Sequence, residues 1–157
     1  MDVVETARFM ALGGVAINDA LIAVMDAKYH YNFWRPVTAI RNGDIDGNNA
    51  TEREATWEPI DNTPLHPEYP CAHCIVSSAA TTVIKLTLGT ADVPELSISM
   101  PTAPGVVHKF TNVDAISTEI ALARIYAGFH FRNSTEVGRA MGQKIGEYVY
   151  ANALQPN

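Results

Sequence analysis

Apolar residues recur at spacings of three and four positions from about Glu5 to Tyr29, and this period predicts a helix. The recurring positions are Phe9, Leu12, Ala16, Ala20, Ala23 and Ala27, and the stripe is widened by Val15, Ile22 and Val24. So wide a stripe predicts a mostly buried helix. A membrane span is not expected, because Asn18 and Asp19 interrupt the longest apolar stretch near its middle.

Three further helices are predicted from apolar periodicity and from the prolines and glycines that bound it. They are Cys71 to Leu88, Val113 to Ala127, and a last helix from Ser134 or Thr135 towards Ala153. Pro70 precedes the first of these and Gly89 ends it, while Gly128 ends the second.

Two long segments between the helices lack any helical period. The first runs from Asn42 to Pro70 and is rich in turn residues and prolines, and the second runs from Thr90 to Asn112. No two runs predict a strand pair, so we expect an all-α helical bundle with long loops, forming a single domain over residues 1–157. A long loop inside a compact domain is usually functional.

Composition and charge narrow the class of protein. Hydrophobic residues make up 47% and charged residues 18% of the chain, which excludes a disordered segment. A net charge of −6 argues against a nucleic-acid partner, although an acidic protein can still hold a small basic pocket. Two glycosylation sequons, at Asn49 and Asn133, weakly favour a secretory or extracellular location.

Three short segments place cations and histidines beside apolar residues. Lys28 and Arg35 are seven positions apart, so on a continuous helix they would share one face. His73 lies where a loop enters a helix, and the free N–H groups of a helix N-terminus attract anions. Arg124 lies on a helix, and His130 follows just after a glycine that ends it.

These side chains together suit an oxyanion with a tetrahedral or trigonal-bipyramidal centre. Cations bind the equatorial oxygens, one histidine attacks or coordinates the central atom, and the other histidine moves protons. The sequence therefore predicts a local basic site inside an acidic protein.

The spacings Lys-x6-Arg-Pro, Pro-x-x-His and Arg-x5-His occur in that order, and they resemble the signature of the vanadium-dependent haloperoxidase and type 2 phosphatidic acid phosphatase superfamily. The segments 34–41 (WRPVTAIR), 66–70 (HPEYP) and 123–132 (ARIYAGFHFR) are most similar to its soluble haloperoxidase-like branch. The resemblance covers about Ala7 to Tyr150. It implies an all-α bundle with the anion site at helix ends.

The resemblance implies which residues bind the anion. Lys28, Arg35 and Arg124 would bind the equatorial oxygens of vanadate or phosphate. Cys71 and the backbone N–H of Ala72 would add donors.

The resemblance also implies roles for the two histidines. His130 would be the vanadium ligand of a peroxidase, or the nucleophile of a phosphatase, and His73 would be the general acid and base. A peroxidase would need vanadate as cofactor and would use a halide and peroxide. A phosphatase would need no cofactor and would use a phosphate ester.

Two positions depart from the family pattern. Cys71 and Ala72 stand where the family usually has Ser-Gly, and Ser134 stands where a carboxylate usually follows the second histidine. These changes predict weakened activity, because a thiol is a poorer donor and serine carries no charge. Family members are commonly longer, so the chain is expected to be the C-terminal part of a longer bundle, and homo-oligomerisation stays open.

Three alternatives stand beside this interpretation. Cys71 and Cys74 form a Cys-x-x-Cys pair typical of redox proteins, although no βαβ pattern surrounds it. The same pair could bind zinc with His66 or His73. A non-catalytic structural, storage or interaction protein on the same scaffold would also explain the departures from the pattern.

Overall fold

The computed structural model describes residues 1–101 and 103–155, so residue 102 of the second predicted loop and residues 156–157 of the predicted domain lie outside it. The elements in chain order are α1 (Val3–Tyr31), α2 (Pro36–Arg41), α3 (Ala72–Leu88), β1 (Asp92–Ser99), β2 (Val107–Asn112), α4 (Val113–Tyr126) and α5 (Arg132–Asn152). The prediction of a helical bundle is confirmed, and all four predicted helices are present.

Helix α3 is the centre of the bundle, because α1, α4 and α5 all pack against it. Gly89 ends the helix as predicted, with a φ of 72°. At its start, the Cys71 sulfur caps the helix by accepting a hydrogen bond from the Cys74 N–H, which the sequence did not predict. The core between α1, α3 and α5 consists of the buried side chains Leu12, Ala16, Ala20, Val24, Ile75, Ala79, Val83 and Val149.

Helix α5 approaches α3 closely through three glycines spaced four residues apart, Gly138, Gly142 and Gly146. A Cβ atom on Gly142 would lie 2.8 Å from the Ser78 Cβ and would clash with the Ile75 carbonyl oxygen. Backbone atoms cannot yield as a flexible side chain can, so this contact between the two helices requires glycine.

Helix α1 buries one face rather than most of its surface. The buried face repeats every four residues, and its members are Leu12, Ala16, Ala20, Val24 and Lys28. Outside that face, Val15 is 38% exposed and Ile22 is 63% exposed, so the prediction of a mostly buried helix is wrong. The broad apolar stripe is real, but within the described residues the bundle packs against only part of it.

By length and composition alone, the segment Val3–Arg41 could also cross a membrane. Only 22% of its most apolar 18-residue window is buried. The core helices of soluble proteins and signal sequences have the same length and apolar composition, so these two properties are weak evidence for a membrane span.

The prediction of a loop from Thr90 to Asn112 is wrong. The segment holds an antiparallel hairpin in which β1 pairs with β2. Most residues of both strands are exposed, so the alternation that marks a half-buried strand is weak. Pro94 is tolerated because each strand of a two-stranded sheet has a free edge.

Helix α1 ends at Tyr31 because Asn32 adopts the left-handed conformation, with a φ of 44°, and its N–H donates to the Lys28 carbonyl. Arg35 then becomes the N-cap of α2, with Pro36 in the first helical position. Lys28 and Arg35 therefore do not share the face of one helix, which corrects that prediction.

The long loop before α3 crosses the turn between α4 and α5. The Ile60 N–H donates to the Ala127 carbonyl at 3.2 Å, and Trp57 packs against Gly128. A Cβ atom on Gly128, whose φ is 76°, would lie 2.6 Å from the Trp57 ring. The loop therefore reaches the turn that carries His130.

Candidate functional site

Lys28 is fully buried at the end of α1, where a lysine needs strong partners. Its Nζ donates hydrogen bonds to the carbonyl oxygens of Pro67 and Glu68, each at 2.9 Å. An ammonium group has three protons, so one N–H of Lys28 stays available after these two bonds.

Arg35 is 6% exposed, and it joins the long loop to the turn between α4 and α5. On the loop side, its Nη2 lies 3.1 Å from His66 Nδ1, and its Nε donates to the His66 carbonyl at 3.2 Å. On the turn side, its Nη1 donates to the Phe129 carbonyl at 2.8 Å and lies 3.3 Å from His130 Nε2. The structure therefore brings two of the predicted site residues, Arg35 and His130, into direct contact.

His130 is 4% exposed, and partners at both ring nitrogens hold it in place. Nδ1 lies 2.7 Å from Glu68 Oε1, and Nε2 faces Arg35 Nη1. A guanidinium group can only donate, so this network assigns a proton to Nδ1 and a lone pair to Nε2. That lone pair is what a nucleophile or a vanadium ligand requires.

Among the residues the structure describes, Arg124, His73 and Ala72 do not join the hydrogen bonds of this pair. Arg124 lies in the last turn of α4, with its Cζ 4.4 Å from the centroid of the Phe129 ring. Its Nε is buried and has no hydrogen-bond partner in the described part of the chain. Ala72 and His73 form the first turn of α3, where backbone N–H groups lack intrahelical partners.

Burial and mutual repulsion shift the pKa of several groups in the cluster. Burial and, to a smaller extent, the Arg35 charge lower the pKa of Lys28 to about 8, although the Glu68 carboxylate opposes both effects. Burial also lowers the pKa of Arg35 to about 10 and the pKa of His130 to about 4. Burial and the charge of Arg124 lower the pKa of His73. Near neutral pH, His130 is therefore neutral and faces a protonated Arg35.

Cys71 and Cys74 are bonded to each other as a disulfide. This bond corrects the prediction that Cys71 binds the anion through its thiol, because a disulfide sulfur has no proton to donate. It also leaves no thiolate for zinc, and the described residues contain no group of three or more metal-binding side chains. The pair follows a loop rather than a strand, unlike the redox motif considered above.

The sequence interpretation gave Glu68 no role, and it considered His66 only as a zinc ligand. Both contact the predicted site residues: Glu68 binds His130 and His66 binds Arg35. A signal for Glu68 was present in the sequence, because Ser134 replaces a carboxylate that the resemblance leads one to expect. No sequence pattern said which acidic residue would compensate.

Comparison with known proteins identifies the family of this bundle. The family described as the VCPO second helical-bundle domain matches residues 8–156. A bacterial vanadium-dependent iodoperoxidase is 32% identical with a TM-score of 0.79, and the match covers 96% of this chain and 34% of that one. No curated protein matches the chain.

A bacterial vanadium-dependent chloroperoxidase has the same fold in two structures. Its apo form is 21% identical with a TM-score of 0.77, and the match covers 91% of this chain and 35% of that one. Its holo form is 20% identical with a TM-score of 0.74, and the match covers 90% of this chain and 34% of that one. This chain thus spans about a third of the length of the structures that it matches. It belongs to the vanadium haloperoxidase superfamily, as a VCPO second helical-bundle domain.

Proposed function

We propose that this chain binds vanadate at Lys28, Arg35, Arg124 and His130 and forms the anion-binding bundle of a haloperoxidase-like enzyme. The observation that carries the proposal is the neutral, buried His130, whose Nε2 lone pair faces the protonated guanidinium of Arg35. A structural histidine would not require this concentration of positive charge around it.

The donors present suit an oxyanion. Lys28 has an N–H left over, and the Arg124 Nε is buried without a partner in the described residues. Three cations and one carboxylate, Glu68, leave two surplus positive charges in a buried region. Such charges are costly unless a counter-ion binds.

Each residue of the site would have a role that follows from its chemistry. Bound vanadate would supply a Lewis-acidic centre that activates peroxide towards a halide. Lys28, Arg35 and Arg124 would hold its oxygens, and His130 would bind its metal through Nε2. His73 lies at the start of α3 with a lowered pKa, so it is neutral near neutral pH and can accept a proton there.

Arg35 would have to release one contact when the anion binds. Its Nη1 now lies 3.3 Å from His130 Nε2, the atom that the anion would approach. The His66 carbonyl accepts from Nε and the Phe129 carbonyl accepts from Nη1 itself, so these two bonds would keep the guanidinium near its present position. Arg35 would then turn the same N–H towards the oxyanion.

Vanadate binding is the direct test. Thermal unfolding of the chain with vanadate should show stabilisation of about 2.7 kcal/mol at a concentration one hundred times the dissociation constant. Lys28→Met should lose most of it. Lys85→Met is the matched control, because Lys85 pairs with Asp114 near the opposite end of α3. A wild type without any vanadate-dependent shift would support a non-catalytic scaffold and contradict the proposal.

Activity separates the two enzyme classes of the superfamily. The vanadate-loaded chain should oxidise iodide with peroxide, and His130→Ala should abolish this reaction. The peroxidase assignment follows the 32% identical iodoperoxidase. Hydrolysis of p-nitrophenyl phosphate that depends on His130, without iodide oxidation, would instead assign a phosphatase. Equal rates for wild type and His130→Ala in both assays would rule out a catalytic role for this histidine.

A further inference from the structure

Glu68 contacts His130 from the side opposite to the anion-binding nitrogen. Its Oε1 lies 2.7 Å from His130 Nδ1 and also accepts a hydrogen bond from the Phe131 N–H at 3.0 Å. Both side chains are almost completely removed from solvent, at 0% exposure for Glu68 and 1% for His130. A buried carboxylate with two donors on one oxygen makes a strong, directional contact.

The backbone of Glu68 is fixed as firmly as its carboxylate. Its N–H donates to the Phe33 carbonyl at 2.9 Å, and its own carbonyl accepts from Lys28 Nζ at 2.9 Å. Phe33 and Phe131 also pack edge to face, with ring centroids 5.8 Å apart. Glu68 therefore binds Lys28, a cation of the proposed anion site, through its backbone carbonyl, and it binds the His130 ring through its carboxylate.

Ser134 makes a much weaker contact with the same nitrogen. Its Oγ lies 3.4 Å from His130 Nδ1, and its side chain is buried beside the ring. Ser134 lies four residues after His130, in the first turn of α5, where a carboxylate was expected from the resemblance. The carboxylate next to the ring comes instead from the loop before α3.

We propose that Glu68 is the positioning residue of His130, supplying from the loop the carboxylate that residue 134 lacks and holding the ring proton on Nδ1. The Nε2 lone pair is then directed at the anion. This inference rests on the proposed function, because the orientation matters only if His130 binds an anion. Partners of this kind fix both the tautomer and the ring orientation of a metal-binding histidine.

A carboxylate that did not accept from Nδ1 would leave the tautomer to the intrinsic preference of the ring. Free neutral imidazole prefers its proton on the other nitrogen, Nε2, so a proton on Nδ1 in the anion-free protein is diagnostic. Oε2 of Glu68 is buried and has no hydrogen-bond partner among the described residues, so only Oε1 is satisfied.

Nitrogen-15 NMR of the His130 ring in the anion-free chain near neutral pH tests the tautomer. The wild type should carry its proton on Nδ1. Glu68→Ala should lose this signature, and the matched control Ser134→Ala should keep it. A wild type protonated on Nε2 would overturn the proposal, even if Glu68→Ala failed to fold. A folded Glu68→Ala protein that kept the proton on Nδ1 would overturn it too.

Vanadate affinity supplies a rescue test. We expect Glu68→Ala to weaken binding by about ten- to one-hundredfold, as is typical when the partner of a metal ligand is removed. Adding Ser134→Asp should restore most of the affinity, because it returns a carboxylate to the neighbouring position. Failure of a folded double variant to regain both affinity and the Nδ1 proton would contradict the positioning role. A wild type that binds no vanadate but keeps the Nδ1 proton would reject the proposed function while leaving the Glu68–His130 contact established.

Discussion

The two longest helices, α1 and α5, both pack against α3, but they bury opposite kinds of surface. Helix α5 buries mainly small or polar residues, namely Ser134, Thr135, Gly138, Gly142 and Gly146, together with the apolar Val149. Helix α1 leaves large apolar residues in solvent, including Val4 at 76% and Met10 at 67% exposure, and fully buries a lysine. The apolar surface of α1 is therefore only partly used for packing, whereas α5 packs mainly through residues with small side chains.

The contrast also bears on the site. The start of α5 places Ser134 beside His130, and the end of α1 brings Lys28 to the carbonyl groups of the loop. One end of each helix lies in a buried polar region, and α5 also makes close contacts with α3 through its three spaced glycines. Substitutions in the two helices should therefore have very different effects.

The largest effect is expected where α5 touches α3. Gly142→Ala should reduce the free energy of unfolding by about 3 kcal/mol or more, because the added Cβ meets backbone atoms of α3. Gly13→Ala in α1 is the matched control, since nothing lies within 4 Å of its Cβ position. It should gain up to about 1 kcal/mol from helix propensity. Denaturant titration measures both, and equal losses would contradict the contrast.

A pair of leucines tests the two faces of α1. Leu12 is fully buried and Leu21 is 43% exposed. Leu12→Ala should cost about 3 kcal/mol, from lost burial and the cavity left behind, and Leu21→Ala should cost less than about 1 kcal/mol. Urea denaturation of the two variants measures the difference. A cost at Leu21 as large as at Leu12 would mean that the outer face of α1 is covered in solution.

Much of this architecture was predictable from local signals. Pro70 and Gly89 bound α3 as predicted, and Gly128 separates α4 from α5. Their effect is local, because proline removes a donor and glycine permits a positive φ. The spacing of the cations and histidines likewise led to Arg35 and His130, which the structure places in contact.

What could not be predicted depends on the path of the chain through space. The contact between Glu68 and His130 joins residues 62 positions apart, and no local pattern specifies it. The hairpin was missed because exposed strands carry little alternation. The exposed face of α1 was missed for a related reason. An apolar stripe shows which residues of a helix are apolar, but it does not show how much of the stripe other helices cover.

The buried lysine of α1 gives a smaller, pH-dependent effect. The pKa of Lys28 is about 8 in the folded protein, against 10.5 for an unperturbed lysine, so between these values the unfolded chain binds more protons. Stability should therefore rise with pH across this window, by at most about 1.4 kcal/mol per pH unit. Below pH 8, the full free-energy cost of burying the charged Lys28 side chain reduces the stability of the folded protein. Chemical denaturation from pH 7 to 10 should show this rise in the wild type but not in Lys28→Met. Parallel profiles would mean that Lys28 keeps an ordinary pKa.

The smallest change in stability is expected for a substitution of Arg124. This substitution should weaken anion binding without reducing the stability of the fold. Arg124→Met keeps apolar contact with Phe129 and removes a buried N–H that has no partner in the described residues. Without anion, its free energy of unfolding should match the wild type or exceed it by up to about 1 kcal/mol. With vanadate, most of the stabilisation should disappear. Arg139→Met is the matched control, because Arg139 also has a buried Nε without a partner there but lies outside the cluster, so it should keep the vanadate effect. If both variants respond to vanadate like the wild type, Arg124 is a structural cation and the anion site must be built without it.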